Sequence, residues 1–240
     1  MKIMKITFPD KGVDVAEAIV EGTLERYRIP PVIGTHPHVF QALSSDAELR
    51  VATGEKVAVY AYAALCHKKN EWEDQKRIGF PMLNYLRFPN VLTIVPQTAG
   101  RKKFGDLEGG LLVDSDVRGK GIDAQTKIPK DLTGWKESAG GILTKGNRIF
   151  VPYNLWYKEQ WDENNGAAIA LAGIAGAELL AKAARDSGKP YKPLWKDNPY
   201  SISAPVRRVS ILNGFDDGTL ALLCSNLGDS MYGCGVGVLK

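Results

Sequence analysis

The chain closes on three short apolar runs, Val206–Leu212, Thr219–Ser225 and Gly233–Leu239, separated by turn-forming residues. Each run is bounded by glycine, asparagine or aspartate and has the length of a strand rather than a helix. The first connection, Asn213 to Gly218, reads NGFDDG, and Asn-Gly and Asp-Gly accept the positive φ that tight hairpins demand. The second connection spans Leu227 to Tyr232. This pattern predicts an α+β fold that ends in a three-stranded antiparallel meander.

Upstream, Lys2 to Phe8 alternates apolar and polar residues and predicts a strand stopped by Pro9. Val13, Ala16, Ile19, Val20, Leu24 and Tyr27 fall at helical spacing, which predicts a helix ended by Pro30 and Pro31. A short strand over Val32–Thr35 and a short helix over His38–Leu49 follow. The nearly continuous apolar run Lys56–Cys66 predicts a central strand, and Val91–Val95 a buried strand stopped by Pro96. Gly141–Thr144 and Arg148–Tyr153 predict a hairpin around Lys145, Gly146 and Asn147. Gly166–Arg185 is the clearest helix, with Gly188 as its stop. Its small residues Ala168, Ala172, Gly173 and Gly176 allow close approach by a neighbour.

The 240 residues fit one domain, 1–240, or two small α+β halves, 1–97 and 136–240, joined by a basic loop region, 98–135. Hydrophobic content of 44% and charged content of 24% are globular values and argue against disorder. The net charge of +4 permits an anionic partner without requiring one. Cys66, Cys224 and Cys234 are odd in number and form no CxxC, so free thiols in a reducing compartment, the cytoplasm, are expected, with a bond between Cys224 and Cys234 as the alternative. No signal peptide is read at the start. The apolar stretch Asn165–Ala181 is short and carries Glu178, which predicts a buried helix and no membrane partner.

Three constellations could carry chemistry. The first is Gly34–Gln41, GTHPHVFQ, where His36 and His38 at a strand end would present both imidazoles on one face. The octapeptide resembles the last metal-binding motif of capsule-synthesis-type calcineurin-like phosphatases, which implies a metal-dependent hydrolase. The upstream Asp-x-His, Gly-Asp and Asn-His elements of that family are missing, and the one other histidine is His67. Without metal, His36 or His38 has the pKa range of a general base for a ribose hydroxyl. The second constellation pairs Asp114 with Asp116, which would offer two carboxylates to a cation or to Arg118.

The third is the segment Asn226–Lys240, NLGDSMYGCGVGVLK, whose Gly228, Gly233, Gly235 and Gly237 leave backbone N–H groups unshielded, as phosphate-cradling loops do. It completes neither a Walker motif nor a dinucleotide fingerprint, and no cofactor is expected. With Ser230, these glycines resemble the glycine-rich loop near the C-terminus of the repeat-associated RNA-binding proteins of CRISPR systems. The resemblance implies ferredoxin-like β-α-β elements and guide-RNA backbone contacts within a ribonucleoprotein. RNA and other protein subunits would then be the partners, with His36 or His38 as an optional cleavage base. Arg101, Lys102, Lys103, Arg118, Lys120 and Arg207 would join Gly228, Ser230, Gly233, Gly235 and Gly237 on the phosphates. Arg207 and Arg208 are neighbours in a strand, so only one of them faces a given surface. A structural or assembly subunit without a catalytic site fits the same residues, and they leave open whether the chain is an enzyme.

Overall fold

The computed structural model describes residues 3–7, 15–20, 23–28, 32–66, 86–98, 103–114, 128–156, 162–188, 190–194, 198–214, 220–225 and 233–240. The N-terminal elements are β1 (Ile3–Thr7), β2 (Val15–Val20), β3 (Thr23–Arg28), β4 (Val32–Gly34), α1 (His36–Ser45), β5 (Leu49–Val51) and α2 (Gly54–Cys66). The middle supplies β6 (Leu86–Ile94), β7 (Gly110–Asp114), β8 (Lys136–Glu137), β9 (Leu143–Lys145), β10 (Arg148–Pro152), α3 (Tyr153–Trp156) and α4 (Gly166–Ser187). The chain ends with β11 (Tyr191–Leu194), β12 (Val206–Gly214), β13 (Leu220–Ser225), β14 (Gly233–Gly235) and β15 (Gly237–Leu239).

One sheet runs β1-β2-β3-β15-β5. A larger one runs β11-β13-β12-β6-β7-β10-β9-β8, with β14 joining β6 to β4 at its side. Among the described ladders only β11 with β13 and β14 with β6 are parallel. The α+β class therefore holds, with mostly antiparallel sheets. Its expected ferredoxin-like form does not: no β-α-β-β-α-β order occurs among the described elements.

Several expectations hold in place. The hairpin around Gly146 pairs Arg148 with Lys145, and β12 pairs β13 antiparallel as expected, with Leu212 opposite Leu222. Helix α4 starts at an Asn165 cap and stops at Gly188, which is left-handed with φ 68°. Its small residues do permit close approach: Gly176 lies against the Glu55 backbone and Ala58 of α2. At Gly173 the helix breaks, with φ 73° and ψ 173°, a conformation that only glycine adopts without strain. Among the described residues one helix, Gly166–Ser187, is long and apolar enough to cross a membrane by composition, and 72% of that window is buried inside the fold.

Three expectations are corrected. The helix predicted from Val13 to Tyr27 is the hairpin β2–β3, which pairs Val20 with Thr23 and Val15 with Arg28. Its Val, Ile and Thr positions fit a pleated surface, and β1 supplies the ladder partner. The strand predicted over Lys56–Cys66 is helix α2. Val57, Ala58, Val59, Tyr60 and Ala61 are all buried, so the run shows no polar face by which to tell a helix from a strand. The third meander strand splits at Val236: β14 pairs β4 and β15 pairs β3 and β5. The physical reason is edge occupancy, since β13 already has β12 on one side and β11 on the other.

The main core draws on Tyr27, Tyr60, Leu92, Leu111, Trp156, Leu180, Leu212 and Val238. A smaller core of Val39, Phe40, Leu43 and Leu49 sits under α1. A third, of Val95, Leu107, Leu112 and Phe150, covers the other face of the large sheet. Proline in a central strand removes a ladder donor. Pro89 of β6 is accommodated where the β6–β12 register shifts, between the Val91–Val209 and Arg87–Ile211 pairs.

Candidate functional site

The two histidines open helix α1 rather than lying on a strand. Successive helical residues are rotated by ~100°, so positions two apart point away from each other. His36 turns inward and is buried, its ring 4.5 Å from Phe40 and edge-on to it. His38 is exposed and lies over Gly34. Burial first, and the Arg87 guanidinium second, hold the His36 imidazole far below its ordinary value, at about 3. The expected pairing of His36 and His38 on one face is therefore not what the chain builds. Among the described residues no three His, Cys, Asp or Glu side chains gather as a metal set.

The C-terminal glycines are also turned to packing. Gly233, Gly235 and Gly237 are buried. A Cβ on Gly233 would overlap the Arg87 guanidinium, and one on Gly235 would overlap Val39. At Gly237 a Cβ would stand 2.8 Å from Leu43 and 3.1 Å from Leu49. These glycines let β14 and β15 lie against α1 and β6, which occupies the space a phosphate would need. Gly228 and Ser230 lie outside the described residues, as do Arg101, Lys102, Arg118, Lys120, Asp116 and His67.

Of the remaining expected contacts, Lys103 is exposed with its Nζ 5.6 Å above the Phe104 ring. Arg207 is half-buried on β12 opposite Thr93, and its carbonyl accepts a hydrogen bond from Arg208 at 3.0 Å. Asp114 pairs with Arg148, Nε to Oδ1 at 3.0 Å, across adjacent strands. The structure does not bring these groups to one surface with the glycines.

Two groupings were not anticipated from the sequence. At the meeting point of both sheets, Arg87 is fully buried and donates from Nη2 to the Gly34 carbonyl at 3.0 Å. Cys234, Tyr60 and Tyr27 share that seam, with the two tyrosine rings 5.5 Å apart. Burial raises the Tyr60 hydroxyl well above its ordinary value, and the Cys234 thiol is pushed up to about 11. Both stay protonated at neutral pH.

The second grouping runs from the core to the surface. Trp156 is fully buried, Tyr153 packs edge-on against it at 5.3 Å, and Tyr200 packs edge-on against Tyr153 at 5.0 Å. Tyr200 is 63% exposed. Its backbone is nonetheless fixed, because the Tyr200 N–H donates to Asn198 Oδ1 at 2.9 Å and Gln97 N–H donates to the Pro199 carbonyl at 2.8 Å. The tether at the other end is Asn165, whose Nδ2 donates to the Trp156 carbonyl at 3.2 Å. The turn residues Asn198 and Pro199 were the available signal for a fixed loop, but the pairing of Tyr200 with Tyr153 leaves no trace in the sequence.

No protein-family model matches the chain, and no curated protein matches it. A solved structure described as "Accommodation of massive sequence variation in Nanoarchaeota by the C-type lectin fold" is similar. It shares 12% identity with a TM-score of 0.46 and covers 90% of this chain and 98% of that one. The likeness to the CRISPR repeat-associated proteins is corrected: no family model or curated protein of that kind matches, and the described part of the run that carried it is packed inside. Gly233, Gly235 and Gly237, which were expected on the guide-RNA backbone, are buried against Arg87, Val39, Leu43 and Leu49.

Proposed function

We propose that this chain is a non-catalytic assembly subunit that associates with a second copy of itself through the ledge formed by Tyr153 and Tyr200. The supporting observation is Tyr200, a large side chain that is mostly exposed yet already fixed by Tyr153 and the Asn198 turn. An interface residue fixed before binding loses little freedom on association, and tyrosine is enriched among residues that dominate interfaces. The inward-facing His36 gives a hydrolase reading no comparable support.

Sedimentation velocity across a concentration series tests the proposal, with the wild type run beside Tyr200→Ser. Association that weakens at least about tenfold on substitution is expected, the scale of a modest interface hot spot. A wild type that stays monomeric up to about 100 μM, where a micromolar complex is mostly formed, refutes it.

A further inference from the structure

Helix α1 rests on a core of its own, Val39, Phe40, Leu43 and Leu49, edged by Val32, Val51 and Leu239. This core is separate from the main one. At the seam between them, β4 is tied to the rest by its three-residue ladder with β14, Gly34 opposite Gly233 and Val32 opposite Gly235, and by the Arg87 bond to Gly34. β14 in turn meets β6 at Cys234 and Leu86. His36 stands at that seam as the first residue of α1, and its buried Nδ1 has no hydrogen-bond partner among the described residues.

We propose that α1 and β4 form an acid-releasable flap, which opens ahead of the rest of the fold and is held open when the His36 imidazole, buried while the flap is closed, takes up a proton. Closing the flap returns that imidazole to an apolar site beside a guanidinium, where a second positive charge is unfavourable. Local units of this kind open with their own free energies, below the global one.

The groups around His36 support one sign. From β6 comes Arg87, which repels a proton on the ring. From β14 comes the Cys234 thiol, protonated beside Arg87. Tyr60 of α2 and Tyr27 of β3 share the seam as neutral hydroxyls. On α1 itself His38 is exposed, as is Arg50 on β5. Among the described residues no carboxylate is found acting on the imidazole.

In the open flap His36 has its ordinary value near 6.5, whereas in the closed flap it lies at about 3. A base whose value is depressed on closing contributes stability above pH 6.5 and loses it as pH falls toward 3. Between pH 7.5 and pH 5 the open population therefore rises roughly 30-fold.

Hydrogen exchange followed by mass spectrometry, converted to protection factors at pH 7.5, 6.5 and 5.0, tests the flap. Protection of residues 36–45 is expected to fall roughly 30-fold by pH 5 while that of Gly166–Ser187 holds. His36→Phe, which fills the apolar site without titrating, is expected to flatten the response. Equal loss in both segments, or a slope retained in the variant, overturns the proposal. Should the variant fail to fold, an NMR titration of His36 in the wild type decides, and a native value at or above about 6 overturns it.

Discussion

Asn165 is the side chain whose removal should cost most for its size. Its Oδ1 accepts from the Ala167 and Ala168 N–H groups at 3.0 and 3.1 Å, and its Nδ2 donates to the Trp156 carbonyl at 3.2 Å. It is fully buried, so water does not replace those partners after Asn165→Ala. Losing the cap costs ~1–2 kcal/mol, and losing the Nδ2 bond to the Trp156 carbonyl adds ~1–2 kcal/mol. A total of ~2–4 kcal/mol is expected from urea unfolding followed by tryptophan fluorescence, with the denaturant slope unchanged. Asn165→Asp separates the two contributions. It keeps the cap acceptor and gains ~0.5 kcal/mol from the helix dipole, but it loses the donor and aims an oxygen at a carbonyl. The Asp variant should fall between wild type and the Ala variant. An Ala variant that loses under ~0.5 kcal/mol would refute the reasoning, because it would mean that the freed backbone groups find other partners.

Gly235→Ala sets a Cβ on Val39 and should cost ~1–3 kcal/mol by overpacking, read from the shift in thermal midpoint. A neutral change would show that α1 can move aside. Cys234, buried with its thiol pushed up to about 11, should resist iodoacetamide at pH 8 in the native protein and label readily in urea. Peptide mapping distinguishes the outcomes, and native labelling at the unfolded rate contradicts the burial. Tyr62→Phe removes the 2.8 Å bond to Asp186 and the 3.0 Å bond from Lys182. Both bonds are exposed, so a loss of only ~0.5 kcal/mol is expected from urea unfolding, and one above ~2 kcal/mol would show that the α2–α4 contact depends on them.

Elements were legible where local chemistry decided them. Gly146 and Asn147 in a tight turn and the Gly188 stop each act within a few residues, and the structure places β9–β10 and the end of α4 accordingly. The failures fall where both periodicities suit the same residues. Val13–Tyr27 can be written at helical spacing, yet its Val15–Val20 half is also a β-branched ladder partner for β1. The run Val57–Ala61 is buried on every side, because α4 covers one face through Gly176 and its neighbours while the main core takes the rest. Which alternative wins depends on those distant partners.

The candidate site was illegible for the same reason in a sharper form. A glycine in sequence is only a statement that space is wanted, and a phosphate or a neighbouring side chain can fill it. At Gly233 the occupant is Arg87, held at the seam by its bond to the Gly34 carbonyl. Neither residue is informative alone: Arg87 is one basic residue among many, and Gly233 stands in a run that resembles a nucleic-acid loop. Once β14 lies beside β6, a single contact explains both the missing Cβ at 233 and the buried charge at 87. Burial first, and that charge second, keep His36 neutral at the head of α1. The motif that looked catalytic and Gly233 of the run that looked phosphate-binding thus meet at one guanidinium, where they close a core.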